Sequence, residues 1–522
     1  MTFEVVLFND SEIKFGFTRS AGAYSLSSAL KEHGYETLVV SYSVAINWEK
    51  FKNLIDLSVG DNTLVVGFSV SWFDSQSDMF PEYDNWESKS ISINFQRKDI
   101  DKYINYIKSV NPNTKVIVGG FTAHKYINEK LIDNVFIGYS ESQIVDYVNS
   151  LSKKGLRRIF NKIINYDVKA KNYNFNASTI QYSEYDLIHP AECMFVEFAR
   201  GCIFKCSFCS FPLIGSKTID YLKYKEVVYN ELLTNYEKWG ITGYFIVDDT
   251  FNDSVEKLKI ISEVIDELPF KPQFGAYVRI DLLASHPEMA QLIKNIGIKT
   301  AMYGLETWNT DTAKIIKKGG SHERKIKALK AAKECWGDET TVHANLIVGL
   351  PNDTTESFEQ FFVWYEEEGF KYIDHVAISP LHLSPNNDQN PYSIYLSDID
   401  VKKEEYGYKF RNLGKIDNNV DGFGGLWEKL DTDTGDIRTR SQAGELCDLY
   451  NQRLYLIQQK KVKLLDHAPR PGKSLGLLGG LKEHFNIDSN SPEKIIYKIF
   501  ELDYYPRLIK LLIDRKNNDK RD

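Results

Sequence analysis

Short runs of β-branched and aromatic residues, separated by stretches with helical spacing of apolar positions, recur in two blocks along the chain. In the first block they are Phe3 to Phe8, Thr37 to Tyr42, Thr63 to Val70, Thr114 to Val118 and Asn134 to Tyr139. That alternation predicts a doubly wound parallel sheet, Rossmann- or flavodoxin-like, with covering helices over residues 1–152. A polar stretch at 153–190, carrying Lys153-Lys154 and Arg157-Arg158, reads as a linker. Alternation resumes over 191–385 with Met194 to Phe198, Gly243 to Val247, Gln273 to Val278, Thr300 to Tyr303, Val342 to Val348 and Ile373 to Ser379. Within it, Asp353 and Glu356 have capping-box spacing, and Lys317-Lys318-Gly319 looks like a basic last turn with a glycine stop. Residues 386–522 read as mostly helical, with helices at Ala443 to Gln458 and Pro492 to Arg515, and are expected to cover the substrate pocket.

With 522 residues and 43% hydrophobic content the chain has material for more than one core. No run approaches the ~20 apolar residues that span a bilayer, and Met1-Thr2-Phe3-Glu4 does not open a targeting segment, so a cytoplasmic protein that avoids membranes is expected. The net charge of -8 argues against a general nucleic-acid binder. Six cysteines in a chain of this length are not a disulfide framework.

Three of them, Cys202, Cys206 and Cys209, fall in one short run, Ala199-Arg200-Gly201-Cys202-Ile203-Phe204-Lys205-Cys206-Ser207-Phe208-Cys209. Three thiolates in one loop can hold three corners of a cubane iron–sulfur cluster, which leaves one iron open. A structural zinc site needs a closed set of four ligands, and His189 and His286 have no finger-like spacing to this loop.

The Cys-x-x-x-Cys-x-x-Cys run with its aromatic Phe208 resembles the signature of the radical S-adenosylmethionine (SAM) superfamily. The resemblance implies a [4Fe-4S] cluster whose open iron chelates SAM, and reductive cleavage to a 5′-deoxyadenosyl radical that abstracts hydrogen from a substrate. It also implies that the six strand units form the superfamily's open partial barrel, with the cysteine loop after the first strand. Residues at successive strand ends carry the likeness further. Phe208 either holds adenine or packs over the cluster. Asp248 and Asp249, in Ile246-Val247-Asp248-Asp249-Thr250, either meet the methionyl ammonium and ribose or cap the next helix. Arg279 either grips the SAM carboxylate or pairs with Asp281 or Glu306. Glu306 resembles the ribose-binding glutamate, and Gly349 and Leu350 stand where relatives lay the adenine.

The first block is similar to the cobalamin-binding domain of one branch of that superfamily. The likeness lies in Gly67-Phe68-Ser69-Val70-Ser71, in Val116-Ile117-Val118-Gly119-Gly120 and in Gly138-Tyr139-Ser140-Glu141, and it implies cobalamin beside Ser69, Ser71, Gly119 and Gly120. Relatives with a lower axial histidine carry an Asp-x-His-x-x-Gly loop, whereas Asn9-Asp10-Ser11-Glu12-Ile13-Lys14-Phe15-Gly16 contains no histidine. With cobalamin, methylation of an unactivated carbon or a phosphinate is implied. Without it, a rearrangement, elimination, epimerisation or cyclisation follows, and a non-catalytic iron–sulfur sensor is the remaining class. Methylthiolating relatives carry three further cysteines in the N-terminal domain, and residues 1–192 here contain none. The implied partners are a small-molecule or biosynthetic-intermediate substrate and a one-electron reductant such as flavodoxin or ferredoxin. Pro471-Gly472-Lys473-Ser474 fails as a phosphate loop because His467 occupies the position of the first glycine.

Overall fold

The computed structural model describes residues 2–9, 19–70, 100–120, 123–152, 159–165, 173–211, 213–383, 396–410, 427–464, 479–488 and 492–518. They form two compact units: Met1–Phe195 with Asn230–Ile241 and Leu477–Asp522, and Val196–Tyr229 with Thr242–Gly476. These units cut across the expected boundaries. The region expected as one piece at 386–522 is divided at 476/477, and its last helices belong with the N-terminal sheet. The segment 471–474, rejected above as a phosphate loop, lies outside the described residues.

In the first unit, β1 (Val5–Phe8), β2 (Thr37–Val40), β3 (Val65–Ser69), β4 (Lys115–Gly119), β5 (Asn134–Ile137) and β6 (Ile163–Asn165) form one sheet in the order β2-β1-β3-β4-β5-β6. Every pairing in it is parallel. Strands covered on both faces need apolar side chains throughout, and β1, β2 and β5 are buried along their whole length. The helices α1 (Ala21–Glu32), α2 (Trp48–Ser58), α3 (Ile100–Val110) and α4 (Glu141–Leu151) supply the cover. Asn47 starts α2 by accepting the Lys50 N–H at 2.9 Å. The strand order reverses between β1 and β3, which opens a crevice at their carboxyl ends. The sixth strand was not anticipated: Ile163–Asn165 lies inside the stretch expected to be a linker, too short and too polar in context to show a period.

Polar groups also tie the far end of the chain into this unit. Arg19 forms a buried two-pronged pair with Glu192, Nε to Oε2 at 2.7 Å and Nη2 to Oε1 at 3.1 Å. Its guanidinium lies over the Tyr42 and Tyr504 rings, and Tyr504 Oη accepts the Ser41 N–H at 2.9 Å. The expected C-terminal helix is interrupted by a π-helical turn at Phe500–Tyr504, between Pro492–Ile499 and Tyr505–Asn518.

The second sheet is β7 (Cys193–Val196), β8 (Gly243–Ile246), β9 (Gln273–Tyr277), β10 (Ile298–Glu306), β11 (Thr341–Val348) and β12 (His375–Pro380), in simple sequence order. Neighbours in order, all parallel where register is given, make an open barrel wall. Along β11 the even-numbered residues Val342, Ala344, Leu346 and Val348 are buried, and the alternate ones are half-buried, the period of a strand with one covered face. Its helices are α6 (Val255–Glu267), α7 (Glu288–Ile296), α8 (Thr310–Ile315), α9 (His322–Trp336) and α10 (Thr355–Glu367), while α5 (Lys225–Trp239) begins in the second unit and belongs to the first from Asn230 on. Two caps differ from expectation. Thr354, not Asp353, caps α10, because the Asp353 carboxylate is buried on the Gly349 N–H instead. The left-handed residue after α8 is Lys317, at φ 55°, ahead of Gly319. Among the described residues no helix is long and apolar enough to cross a membrane.

Gly67 lies in the packed centre of β3, where an added Cβ would stand 2.8 Å from Leu7 Cδ2 and 3.1 Å from Ile117 Cγ1. Gly67→Ala should therefore lower stability by about 1–3 kcal/mol, the range for overpacking a core. Equilibrium denaturation checks this, with an unchanged m-value as the sign that only the native state was affected.

Candidate functional site

The turn after β7 carries the three cysteines. Its backbone is fixed by Cys202 N donating to Leu213 O at 3.2 Å and Gly215 N donating to Cys202 O at 2.6 Å and Phe204 O at 3.1 Å. The carbonyls at the end of α8 hold its other side, Ile316 O accepting Ser207 N at 2.9 Å and Ile315 O accepting Ser207 Oγ at 3.3 Å. Cys202 and Cys206 are buried and Cys209 half-buried, and all three are free thiols. Burial pushes the Cys209 thiol up to about 12, with the Cys206, Asp249 and Cys202 groups adding to the push. Cys202 is raised by burial too, against the opposing Thr250 hydroxyl 3.2 Å from its sulfur. Three thiols gathered in one turn, with Cys202 and Cys209 resisting ionisation through burial, are poorly satisfied alone and well satisfied by a multinuclear cation such as an iron–sulfur core. Among the described residues no three His, Cys, Asp or Glu side chains converge as a set that could hold a metal ion. A cubane spreads its thiolates over separate irons, so it does not ask for that convergence.

The strand ends around this turn are charged and buried. Asp248 Oδ1 accepts the Phe198 and Ala199 N–H groups at 2.8 and 3.0 Å, and its Oδ2 lies 2.8 Å from Lys257 Nζ without hydrogen-bond alignment. Asp248 is thereby spent on joining β8 to the root of the cysteine turn. Helix α6 is capped by Ser254, so neither aspartate serves as its cap. Asp249 is the carboxyl that stays available. One oxygen accepts the Gly201 N–H at 3.2 Å, and burial, then the Glu197 and Asp248 carboxylates, push it up to about 7. A carboxyl in that condition favours a cationic neighbour.

Arg279, just past β9, is fully engaged. Its Nε and Nη2 hold Asp281 Oδ1 and Oδ2 at 3.2 and 2.7 Å, its Cζ lies 3.8 Å from the Phe204 ring centre, and Nη1 points at Cys206 Sγ, 3.8 Å away. Of the two roles open in the sequence, the pair with Asp281 is the one formed. Glu306 ends β10 with φ at 63°, a region a residue with a side chain seldom adopts. The register slips between Gly304 and Glu306, so Leu305 is an extra residue that turns the glutamate back along the strand. An added Cβ on Gly304 would stand 2.1 Å from Glu306 Oε1, so only glycine admits this folded carboxylate. Lys318 Nζ approaches Glu306 Oε1 at 3.3 Å. Phe208 is half-buried beside Cys209.

Gly349 and Leu350 are committed elsewhere. The Gly349 N–H goes to Asp353 Oδ2 at 3.1 Å and its carbonyl accepts from Tyr408 Oη at 2.7 Å, while the Leu350 carbonyl accepts from Lys429 Nζ at 2.6 Å. Leu350 is wholly buried and Trp427 is packed onto Gly349. Both residues support a ribbon of Tyr408–Phe410 and Trp427–Lys429, and their polar groups are closed to a ligand.

Sequence reasoning missed the buried lysines. Lys257 lies under Asp248, and Lys325 lies between Asp281 and Glu306 with Nζ donating to Thr307 O at 2.6 Å. Burial pulls Lys325 down to about 8, against the two carboxylates. The signal was present: Lys325 shares a helix face with Ala328, Leu329 and Ala332, all buried.

In the first unit, Ser69 and Gly119 are register partners at the carboxyl ends of β3 and β4, and Gly120 follows with φ at 116°. Ser71 lies outside the described residues. An added Cβ on Gly119 would meet nothing closer than 3.6 Å, so packing within the unit does not demand a glycine there. A bare backbone edge beside the strand-order reversal fits a flat ligand laid against it.

The family model described as the Radical SAM superfamily matches residues 196–364. A Methanocaldococcus jannaschii protein assigned provisionally as a methylthiotransferase is 28% identical over 272 residues, 49% of this chain and 59% of that protein. An uncharacterized methyltransferase of Pyrococcus horikoshii is 27% identical over 52% of this chain and 62% of its own length. The hopanoid C-3 methylase of Methylococcus capsulatus is 24% identical over 56% and 59%. The chain thus spans about three-fifths of the length of these curated relatives. Two solved structures share the fold. One is the cobalamin-dependent SAM radical enzyme OxsB with aqua-cobalamin and SAM bound, with TM-score 0.56, 16% identity and coverage of 99% of this chain and 80% of that one. The other is the radical SAM methyltransferase TsrM of Kitasatospora setae with tryptophan and a SAM analogue bound, with TM-score 0.55, 15% identity and 79% coverage of both chains.

Because the Asp353 carboxyl is wholly buried, it is pushed up to about 7. Its folded-state affinity for a proton exceeds the unfolded one, so the wild type loses stability as pH rises from about 4 through 7. Asp353→Asn keeps an oxygen for the Gly349 N–H and has no such titration. Denaturation from pH 4 to 8 should show the variant gaining on the wild type across that window and level beyond it.

Proposed function

We propose, from the premise that residues 196–364 are a radical SAM domain, that the chain is a radical SAM enzyme that transfers a methyl group with cobalamin held by its first unit. The observation that carries the reading is the turn after β7, where three free thiols sit beside a carboxyl kept protonated to near neutral pH.

Cys202, Cys206 and Cys209 would hold three corners of a [4Fe-4S] cluster. When bound, that cluster supplies the electron for cleavage of SAM and so the radical that takes hydrogen from the substrate. The protein's part is placement. Asp249 presents its carboxyl to the SAM ammonium, which would draw its proton affinity back down. Glu306, folded back by the bulge, offers two acceptors suited to a ribose diol, and Phe208 covers the cluster side. Asp248 and Lys257 keep the turn and β8 at fixed separation. A one-electron reductant of the flavodoxin or ferredoxin class completes the reaction.

Methyl transfer is favoured over methylthiolation although relatives of both names match, because residues 1–192 hold no cysteine for a second cluster. Ser69 and the bare edge at Gly119-Gly120 would hold cobalamin, which when bound would supply the methyl group. No histidine stands in residues 9–16 to ligate its cobalt. The substrate is a small molecule or biosynthetic intermediate.

Replacing Cys202, Cys206 and Cys209 together by Ala should abolish cluster iron and sulfide and, with them, 5′-deoxyadenosine formation from SAM under a strong reductant. Iron content equal to wild type in that variant would sink the assignment. Glu306→Ala should weaken SAM binding by about 1.5–3 kcal/mol, the scale for a hydrogen bond to a charged group, with the cluster intact. For the first unit, reconstitution with hydroxocobalamin followed by desalting should leave a coloured protein. A colourless one that still makes 5′-deoxyadenosine would discard methyl transfer and keep the radical chemistry.

A further inference from the structure

Arg279 carries more restraint than an ion pair needs. Its backbone is clamped on both sides by the fully buried Asn252, whose Oδ1 accepts the Arg279 N–H at 2.7 Å and whose Nδ2 donates to the Arg279 carbonyl at 3.0 Å. Asp281 fills one edge of the guanidinium through Nε and Nη2. Phe204, from the cysteine turn, covers its face, with Cζ 3.8 Å from the ring centre. What remains is Nη1, and it points at Cys206 Sγ, 3.8 Å away. Arg279 and Asp281 are each only 6% exposed. The result is a permanent cation, screened from water and locked in one orientation against a single sulfur of the cysteine turn.

We propose that Arg279 is a positioning residue for the cluster's electronics: held by Asp281, Asn252 and Phe204, it directs a fixed positive charge at Cys206 and raises the reduction potential of the cluster that this cysteine ligates. The proposal rests on the cluster reading above and assigns Arg279 to the cluster instead of the SAM carboxylate. The physical reason is charge. Reduction adds one electron, delivered by the flavodoxin- or ferredoxin-class reductant, and makes the cluster more negative. A nearby cation stabilises the reduced form more than the oxidised one, and the effect is large where solvent does not screen it. Hydrogen bonds to cysteinyl sulfur act in the same direction. Asp281 opposes the effect by its own negative charge while aiming the guanidinium, so the two residues should shift the potential with opposite signs.

The test is a redox titration of the reconstituted full chain without SAM, followed by electron paramagnetic resonance of the reduced cluster, with iron counted in every sample. Arg279→Gln should shift the one-electron equilibrium about tenfold toward the oxidised form, about 59 mV more negative. Arg279→Lys, which keeps the charge but not the fork, should recover part of that shift. Asp281→Asn should move the potential the other way, and it decides the matter if Arg279→Gln takes up no iron. A merely structural Arg279 would give variants that differ in iron content or stability but titrate at the wild-type potential. Full clusters in all variants with one common potential would overturn the proposal alone. A wild type that binds no cluster would sink the cluster reading and this inference together.

Discussion

Ionised groups at the carboxyl edge of the second sheet are buried, and each must find its opposite charge within the fold. Asp248 answers Lys257, Asp281 answers Arg279, and Glu306 answers Lys318 with Lys325 behind it. Removing one member of such a pair leaves an uncompensated charge in low dielectric and costs about 3–5 kcal/mol, so the pairs act as fixed struts between strand ends. The cysteine turn hangs from them: its root is on Asp248, and its apolar side, at Phe204, is on Arg279.

Once the pairs are counted, the groups left over define the site. Among the described residues Asp249 has one backbone donor and no cation within hydrogen-bonding reach, and burial keeps the proton affinity of the Cys202 and Cys209 thiols high. Glu306 holds an unfavoured backbone conformation, and its carboxylate folds back into space that the missing side chain of Gly304 leaves. Strain of this kind persists only where the surrounding structure over-determines it, and it collects where a ligand is handled. Gly349 and Leu350 are occupied within the fold: the Gly349 donor goes to Asp353, their carbonyls accept from Tyr408 and Lys429 of the ribbon, and Trp427 packs on Gly349.

The first unit works on a different principle. Strands β1, β2 and β5 are buried along their whole length, and Gly119-Gly120 leaves a backbone edge without side chains at the end of β4, next to β3 where the strand order reverses. Such an edge suits a large planar cofactor held by contact area and backbone groups. The Arg19 and Glu192 pair, walled in by Tyr24, Tyr42 and Tyr504, stiffens this unit from behind and recruits the C-terminal helices to it.

Periodicity alone located eleven of the twelve strands of the two parallel sheets, because a buried strand must be continuously apolar or alternate, and local chemistry displays either pattern. The gathering of Cys202, Cys206 and Cys209 in one turn was likewise legible, since their spacing is local in sequence. Short Ile163–Asn165 escaped because three residues show no period, and the capping by Thr354 escaped because Asp353 turns back onto the Gly349 N–H four residues before it. Asp281, two residues from Arg279, was a legible partner, whereas the turn of the remaining Arg279 donor to Cys206, far away in sequence, was decided only in three dimensions. Such an approach depends on which strand ends are laid side by side, and that is a property of the packed sheet and not of the sequence around either residue.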